Sequence, residues 1–202
     1  EHLVSALTSA VLVVVGAGLA GSIPTGLLLA RLRGVDIRAV GSGNIGATNV
    51  ARSLGKRSGA VVLLLDALKG ALPVAVALWL DLARRVDPFV LTATGFAAVA
   101  GHCFTPWLRF RGGKGVATSL GIFLVLEPMV IGIALGIFAA LYLPTRIVSL
   151  GSMTATLALP VLLWILGRPD ESVALGIAVA AVVLAKHHGN IGRLLRRQER
   201  SV

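Results

Sequence analysis

The chain has 202 residues, of which 56% are hydrophobic and 14% charged, with a mean hydropathy of +0.89 and a formal charge of +10. That composition excludes an ordinary soluble globular domain and implies a polytopic membrane protein. In a soluble chain the positive charge would suggest nucleic acid, but here the basic residues fall between apolar segments, as the positive-inside bias predicts, and no nucleic-acid-binding motif accompanies them.

Residues 3–30 form the first apolar segment, with no basic stretch before it, so it reads as a transmembrane helix and not as a cleaved secretory signal. Ser22, Pro24 and Thr25 loosen its end, close to a polar island that runs from Gly41 to Lys56 as G-S-G-N-I-G-A-T-N-V-A-R-S-L-G-K. Gly41, Gly43 and Gly46 allow positive φ, so successive N–H groups can turn to one side as an anion-binding nest. Arg52 and Lys56 add positive charge, and a helix starting at Ala47 would bring its N-terminal dipole to the same place. The island therefore predicts a phosphate or carboxylate site. It also matches the G-x-G-x-x-G dinucleotide fingerprint, with Asp66 downstream, but that fingerprint requires a βαβ unit. The preceding apolar segment is too long for a strand, and Asp66 sits inside V-V-L-L-L-D-A-L-K, so the context opposes a nucleotide fold.

The second apolar segment, 58–80, carries Asp66 and Lys69 on one side of a helix, spaced to pair. Ionisable groups at membrane depth face a bundle or cavity, and this pair is either functional or a structural tie. Residues 81–88 read as a charge-balanced loop. A third segment, 89–106, leads into a second polar, glycine-rich island at 101–119, with Arg109, Arg111 and Lys114 among Gly112, Gly113 and Gly115. It is no Walker loop, because Leu108 replaces the first glycine and Gly115 the magnesium-binding hydroxyl. Two cationic glycine loops, each entering a helix, predict two anionic groups bound side by side. The rival reading, basic loops resting on lipid headgroups, leaves the glycines unexplained.

Apolar sequence continues over 116–143 with Glu127-Pro128 in its middle, then over 147–166 and 172–186, and the chain closes on a basic tail containing His187 and Asn190. If 116–143 is one helix there are six spans; if Glu127-Pro128 breaks it there are seven, and both islands and the tail share one face with most of the 19 Lys and Arg. The charge bias favours seven. The first piece, 116–126, would then be only roughly 16 Å long, too short to cross alone without a bend or a water-filled cleft beside it.

Three stretches, S-G-N-I-G-A-T-N-V-A-R-S-L-G-K, G-H-C-F-T-P-W-L-R-F-R-G-G-K-G-V-A-T and H-H-G-N-I-G-R-L-L-R-R-Q-E, together with S-I-P-T-G and D-A-L-K-G, resemble the motifs of the bacterial acyl-phosphate:glycerol-3-phosphate acyltransferases of the PlsY type over essentially the whole chain. The resemblance implies one all-α integral membrane domain over 1–202, a seven-helix transmembrane bundle in the bacterial inner membrane with its glycine-rich motif loops and active site at the cytoplasmic face. It implies acyl transfer from acyl-phosphate to the 1-hydroxyl of glycerol 3-phosphate, giving lysophosphatidic acid and inorganic phosphate, the first acylation of phospholipid synthesis. By resemblance, Ser42, Gly43, Asn44, Thr48, Asn49 and Arg52 hold phosphate, with Ser42 and Arg52 also at the reacting centre. Gly112, Gly113, Lys114 and Gly115 hold glycerol 3-phosphate, and His187 and Asn190 complete the centre, with Ser149 an added binding position. Arg111 stands where a lysine is common, with the charge kept.

No metal, cofactor, nucleic acid or obligate protein partner is implied beyond the two substrates and membrane lipid. An acyl-phosphate is already activated, so the tasks are orienting the hydroxyl and stabilising charge on the carbonyl oxygen. His187 or the donor's own phosphate accepts the proton, with substrate assistance favoured because a dianion is already beside the hydroxyl. The H-x4-D dyad of coenzyme A-dependent acyltransferases is absent, since Gly192 follows His187 and Trp107 follows His102 at that spacing. The alternative class, a transporter for a phosphorylated solute, would show longer internal repeats and a mid-membrane site. A lipid-binding scaffold without turnover is the third reading.

Overall fold

The computed structural model describes residues 2–199, and every regular element in them is helical. The first apolar run divides into α1 (His2–Ser22) and α2 (Thr25–Leu32). Pro24 explains the break: it has no N–H to donate and disfavours helical backbone at Ile23. The Ile23 carbonyl freed there accepts a bond of 2.9 Å from Lys69 Nζ, and the Thr25 hydroxyl donates to Asp66 Oδ1. Asp66 and Lys69 lie on α4 (Lys56–Trp79), 2.8 Å apart and buried. The charged pair and the loosened helix end are thus one construction, in which the intramembrane charges satisfy the backbone that the proline exposes.

Between α2 and α4 lies the short α3 (Ala47–Leu54), which begins at the residue expected from the island. Residues 81–88 are not wholly loop, since Leu82–Arg85 form a one-turn helix, α5, with Leu82 fully buried against α1, α4 and α6. The apolar Leu82 side chain overrides the charge pattern there. α6 (Phe89–Cys103) packs along α1 at glycine contacts: a Cβ on Gly21 would lie 2.2 Å from the Ala98 carbonyl oxygen, and one on Gly101 2.2 Å from that of Gly18. Such backbone approach is how membrane helices gain contact energy, because lipid tails are as apolar as leucine.

After a 3₁₀ turn at Pro106–Leu108, α7 (Val116–Leu126) packs on α4, and α8 (Pro128–Thr145), α9 (Val148–Ile165) and α10 (Asp170–Lys186) complete the bundle. α11 (His188–Leu195) turns away from α10 by 61°. The break at Glu127 is present: its backbone leaves the helix at φ −141°, ψ 60°, Pro128 opens α8, and the buried carboxylate accepts from Arg168 Nε at 2.6 Å and Ser172 Oγ at 2.9 Å. Phe123, Ile122, Leu163, Leu175 and Val130 form the core where α7 to α10 meet. Leu12, Leu64, Trp164 and Ile177 face outward, a lipid-contacting surface.

Among the described residues five helical stretches are long and apolar enough to cross a membrane, or six if the bent pair of α10 and α11 counts as one span. α7 is the shorter apolar helix on which a seventh crossing depends. Glu1 and the last three residues, with the expected side of Glu1, lie outside the described residues.

Candidate active site

The first island folds around Asn49, which is 2% exposed. Its Oδ1 accepts the Ser42 N–H at 2.8 Å, and its Nδ2 donates to the carbonyls of Asn44, Val40 and Ile37 at 2.9, 3.1 and 3.2 Å. Gly41 takes φ +61°, and a Cβ there would lie 2.2 Å from Asn49 Oδ1, so only glycine lets the amide close the loop. The open nest expected from three positive-φ glycines does not form. Gly46 has φ −75°, and the N–H groups of Gly43 and Gly46 go to the Val40 carbonyl and to Asn44 Oδ1. What the island presents are the side chains of Ser42, Thr48 and Arg52 and the first turn of α3. Thr48 and Arg52, four apart, share one face of that helix.

The second island is held by the end of α6: the Gly112 N–H donates to the Cys103 carbonyl at 3.2 Å and the Gly113 N–H to that of His102 at 3.0 Å. A Cβ on Gly113 would lie 2.0 Å from His102 Nε2, so the loop rests on the imidazole with no room for a side chain. Gly115, at φ +86°, then starts α7. Lys114 donates through Nζ to Asn190 Oδ1, and Asn190 Nδ2 donates to Glu199 Oε1 at 2.8 Å, whose other oxygen accepts from Arg193 Nε at 2.8 Å. This chain of polar contacts ties the second island to the tail.

Ser42, Asn44, Thr48, Asn49, Arg52, Lys114, Gly115, Ser149, His187 and Asn190 all line one cavity of about 660 Å³. Gly43, Gly112 and Gly113 do not line it, and Lys56 stands exposed at the start of α4 outside it. Asp66, His102, Arg193 and Glu199 also line the cavity, although sequence reasoning assigned none of them to the site. Asp66 had been singled out as an intramembrane charge; Glu199 lay within the third quoted motif, where only the spacing of a carboxylate beside Arg193 signalled it. The Ser149 hydroxyl is buried in the wall. The other half of the cavity is apolar, built by Leu63, Leu120, Ile131, Leu135, Phe138 and Leu159 from α4, α7, α8 and α9.

Arg109 and Arg111 do not join Lys114. With Arg38, Trp107 and Leu108 they line a separate concavity of about 310 Å³. The second island, read as one cationic loop, is divided between two places.

Burial pushes the Lys114 ammonium down from 10.5 to about 8, with Glu199 opposing and Arg193 and Arg52 reinforcing the shift. Burial also lowers His187 to about 4, and the Lys114 charge acts in the same direction. Burial would raise the Glu199 carboxyl, but the bonds from Arg193 and Asn190 outweigh it and hold the group below its ordinary value. His187 Nδ1 lies 2.7 Å from the Val183 carbonyl, which only accepts, so Nδ1 carries the proton and Nε2 is the nitrogen left for a substrate.

A family model described as glycerol-3-phosphate acyltransferase matches residues 11–197. The chain is 48% identical over 188 residues to the glycerol-3-phosphate acyltransferase of Geotalea daltonii, covering 93% of this chain and 95% of that protein. It is 51% identical over 183 residues to that of Myxococcus xanthus, covering 90% and 94%. Crystal structures of PlsY, an integral membrane glycerol 3-phosphate acyltransferase, superpose on this fold. The glycerol 3-phosphate form gives a TM-score of 0.90 at 41% identity, covering 96% of each chain. The lysophosphatidic acid form gives 0.87 at 40%, covering 96% of this chain and 95% of that one.

Proposed function

The chain belongs to the glycerol-3-phosphate acyltransferase family, and from that premise we propose that it transfers an acyl group from acyl-phosphate to the 1-hydroxyl of glycerol 3-phosphate, the first acylation of phospholipid synthesis. The observation that carries the reading is one cavity lined at one part by the cations Arg52, Lys114 and Arg193 and at another by apolar side chains. Both substrates bear phosphate and one bears an acyl chain, so a cavity divided in this way suits the pair. The hydroxyl oxygen forms a bond to the acyl carbon, the bond from that carbon to the phosphate oxygen breaks, and inorganic phosphate leaves. Ser42, Thr48 and Arg52 would hold the donor's phosphate and Lys114 that of glycerol 3-phosphate, while Ser149, His187 and Asn190 orient the reacting groups.

The hydroxyl proton goes to the donor's phosphate. A His187 with its pKa near 4 is neutral at physiological pH and a poor base there, whereas a phosphate dianion is bound beside the hydroxyl. His187 Nε2, which only accepts, would then take its bond from the neighbouring 2-hydroxyl of glycerol 3-phosphate and so aim the 1-oxygen, leaving the hydrogen of the 1-hydroxyl directed at the phosphate. The mixed anhydride brings its own leaving group, so the reaction calls for no cofactor. We place the active site at the cytoplasmic face of a bacterial inner membrane, with seven crossings that include α7, because the basic loops and tail then share one side. Phosphate release from acyl-phosphate by the purified protein tests the reading. Release that requires glycerol 3-phosphate and yields lysophosphatidic acid is expected; release indifferent to glycerol 3-phosphate would overturn it.

A further inference from the structure

Three arginines that the acyl-transfer cavity does not use converge elsewhere. Arg38, from the loop between α2 and α3, lines one concavity with Arg109 and Arg111, from the loop after the 3₁₀ turn, and with Trp107 and Leu108. Among the described residues no carboxylate forms an ion pair with any of the three, and Asp36, in the first loop, accepts at Oδ1 from the Arg38 backbone N–H at 3.0 Å. Three like charges gathered without a counter-ion repel one another, and an anion seated among them removes that repulsion.

The loop is fixed in this arrangement. The Thr105 hydroxyl donates to the Ser22 carbonyl at 2.6 Å, and Trp107 Nε1 donates to the Ser22 hydroxyl at 3.0 Å, clamping both ends of the turn to the end of α1. Arg109 and Phe110 take φ of +51° and +63°, left-handed conformations that side chains disfavour, held by bonds from their N–H groups to the Pro106 and Thr105 carbonyls. Backbone of this kind persists only where the surrounding contacts over-determine it, so the loop presents its arginines from a fixed frame.

Depth decides the source of the anion. By length and hydropathy the apolar span that includes α6 ends at Leu108 and the one that includes α1 and α2 ends at Leu32, so all three arginines follow a span end, where phospholipid headgroups are expected. Trp107 and Phe110 are each 66% exposed beside them, with Phe104 also exposed, an aromatic set of the kind that suits a membrane interface. We propose that the Arg38, Arg109 and Arg111 concavity binds the phosphate headgroup of an anionic phospholipid, with Trp107 and Phe110 against its glycerol and upper acyl region. The second glycine island thereby serves two ligands: Lys114 turns inward to the acyl-transfer cavity, and the arginines turn outward to the bilayer.

Trp107 reports on its own site. In a Trp79→Phe/Trp164→Phe protein it is the sole tryptophan, reconstituted in phosphatidylcholine vesicles carrying a minor fraction of brominated phosphatidylglycerol or of brominated phosphatidylcholine. Three partly solvated arginines should enrich the anionic lipid on the order of tenfold, seen as stronger quenching by the brominated phosphatidylglycerol. Arg38→Gln/Arg109→Gln/Arg111→Gln should abolish the preference, Arg109→Gln alone should reduce it, and Arg31→Gln/Arg33→Gln, outside the concavity, should leave it. Equal quenching by the two lipids overturns the proposal, as does an equal loss of preference in the Arg31/Arg33 variant. A preference erased by inorganic phosphate, but not by chloride at the same ionic strength, assigns the concavity to free phosphate and overturns the lipid. The readout is binding, so it stands apart from whether acyl transfer occurs.

Discussion

Lys114 connects the cavity to the tail through Asn190, and it is charged only below about pH 8. Its ammonium would pair with a substrate phosphate, so kcat/KM for glycerol 3-phosphate should fall as pH rises through that value, in the window between about 8 and the ordinary 10.5 where a solvated lysine would still be charged. Lys114→Arg should remove this step from the profile, because guanidinium does not titrate there, at some loss of fit. Lys114→Ala should lower kcat/KM on the order of 10², through a higher KM for glycerol 3-phosphate and a lower kcat. An identical pH profile in the arginine variant would remove Lys114 from the phosphate site. His187 offers the contrasting case. With Nδ1 committed to Val183 and its pKa near 4, it positions and does not abstract, so His187→Gln should keep much of the activity, whereas loss of a general base would cost on the order of 10²–10⁴. Near-complete inactivity of a folded variant that still binds both substrates would make His187 the base.

At the scale of elements, the α1–α2 break and the charges of α4 stand or fall together. Asp66 receives Thr25 Oγ1 and Lys69 Nζ, Lys69 reaches back to the Ile23 carbonyl, and His102 Nδ1 lies 3.7 Å from the same carboxylate. Lys69→Met leaves a buried carboxylate without its cation and should cost about 3–5 kcal/mol, read as a lowered thermal midpoint in detergent. Adding Asp66→Asn should recover part of that loss, because the charge left unpaired is then gone. A double variant no more stable than the single one would mean that the Ile23 carbonyl contact, and not the ion pair, carries the effect. The Glu127 break has the same logic on the far side of the bundle, where Arg168 and Ser172 satisfy the carboxylate that interrupts α7 and α8.

For the molecule as a whole, the proposed seven-crossing arrangement requires positions 43 and 190 to lie on one side of the membrane. Single cysteines there, in a Cys103→Ser background, should label from the same side, and labelling from opposite sides would return the count to an even number. Helical membrane character, the span limits to within a few residues, the helix start at Ala47 and the family were all legible in the sequence. Apolar periodicity, proline positions and motif order are local properties, and a bilayer permits few solutions other than helices. The sequence also located the polar islands, but not how they would be used. It suggested an open nest of backbone N–H groups, and folding gave those groups to Asn49, Asn44 and Val40 instead, because backbone N–H groups withdrawn from water must find partners wherever the loop closes.

 The division of the second island was equally out of reach, since Lys114 and Arg111 are three residues apart yet serve different concavities. Which way each cation turns depends on α6 ending under Gly112 and Gly113 and on the Ser22 clamp at Trp107, contacts between residues far apart in the chain. Chemistry-bearing residue types and their order are written in the sequence. Their convergence on one cavity, and the separation of the arginines from it, were decided by tertiary packing, because only the packed helices fix the direction in which each side chain leaves the backbone.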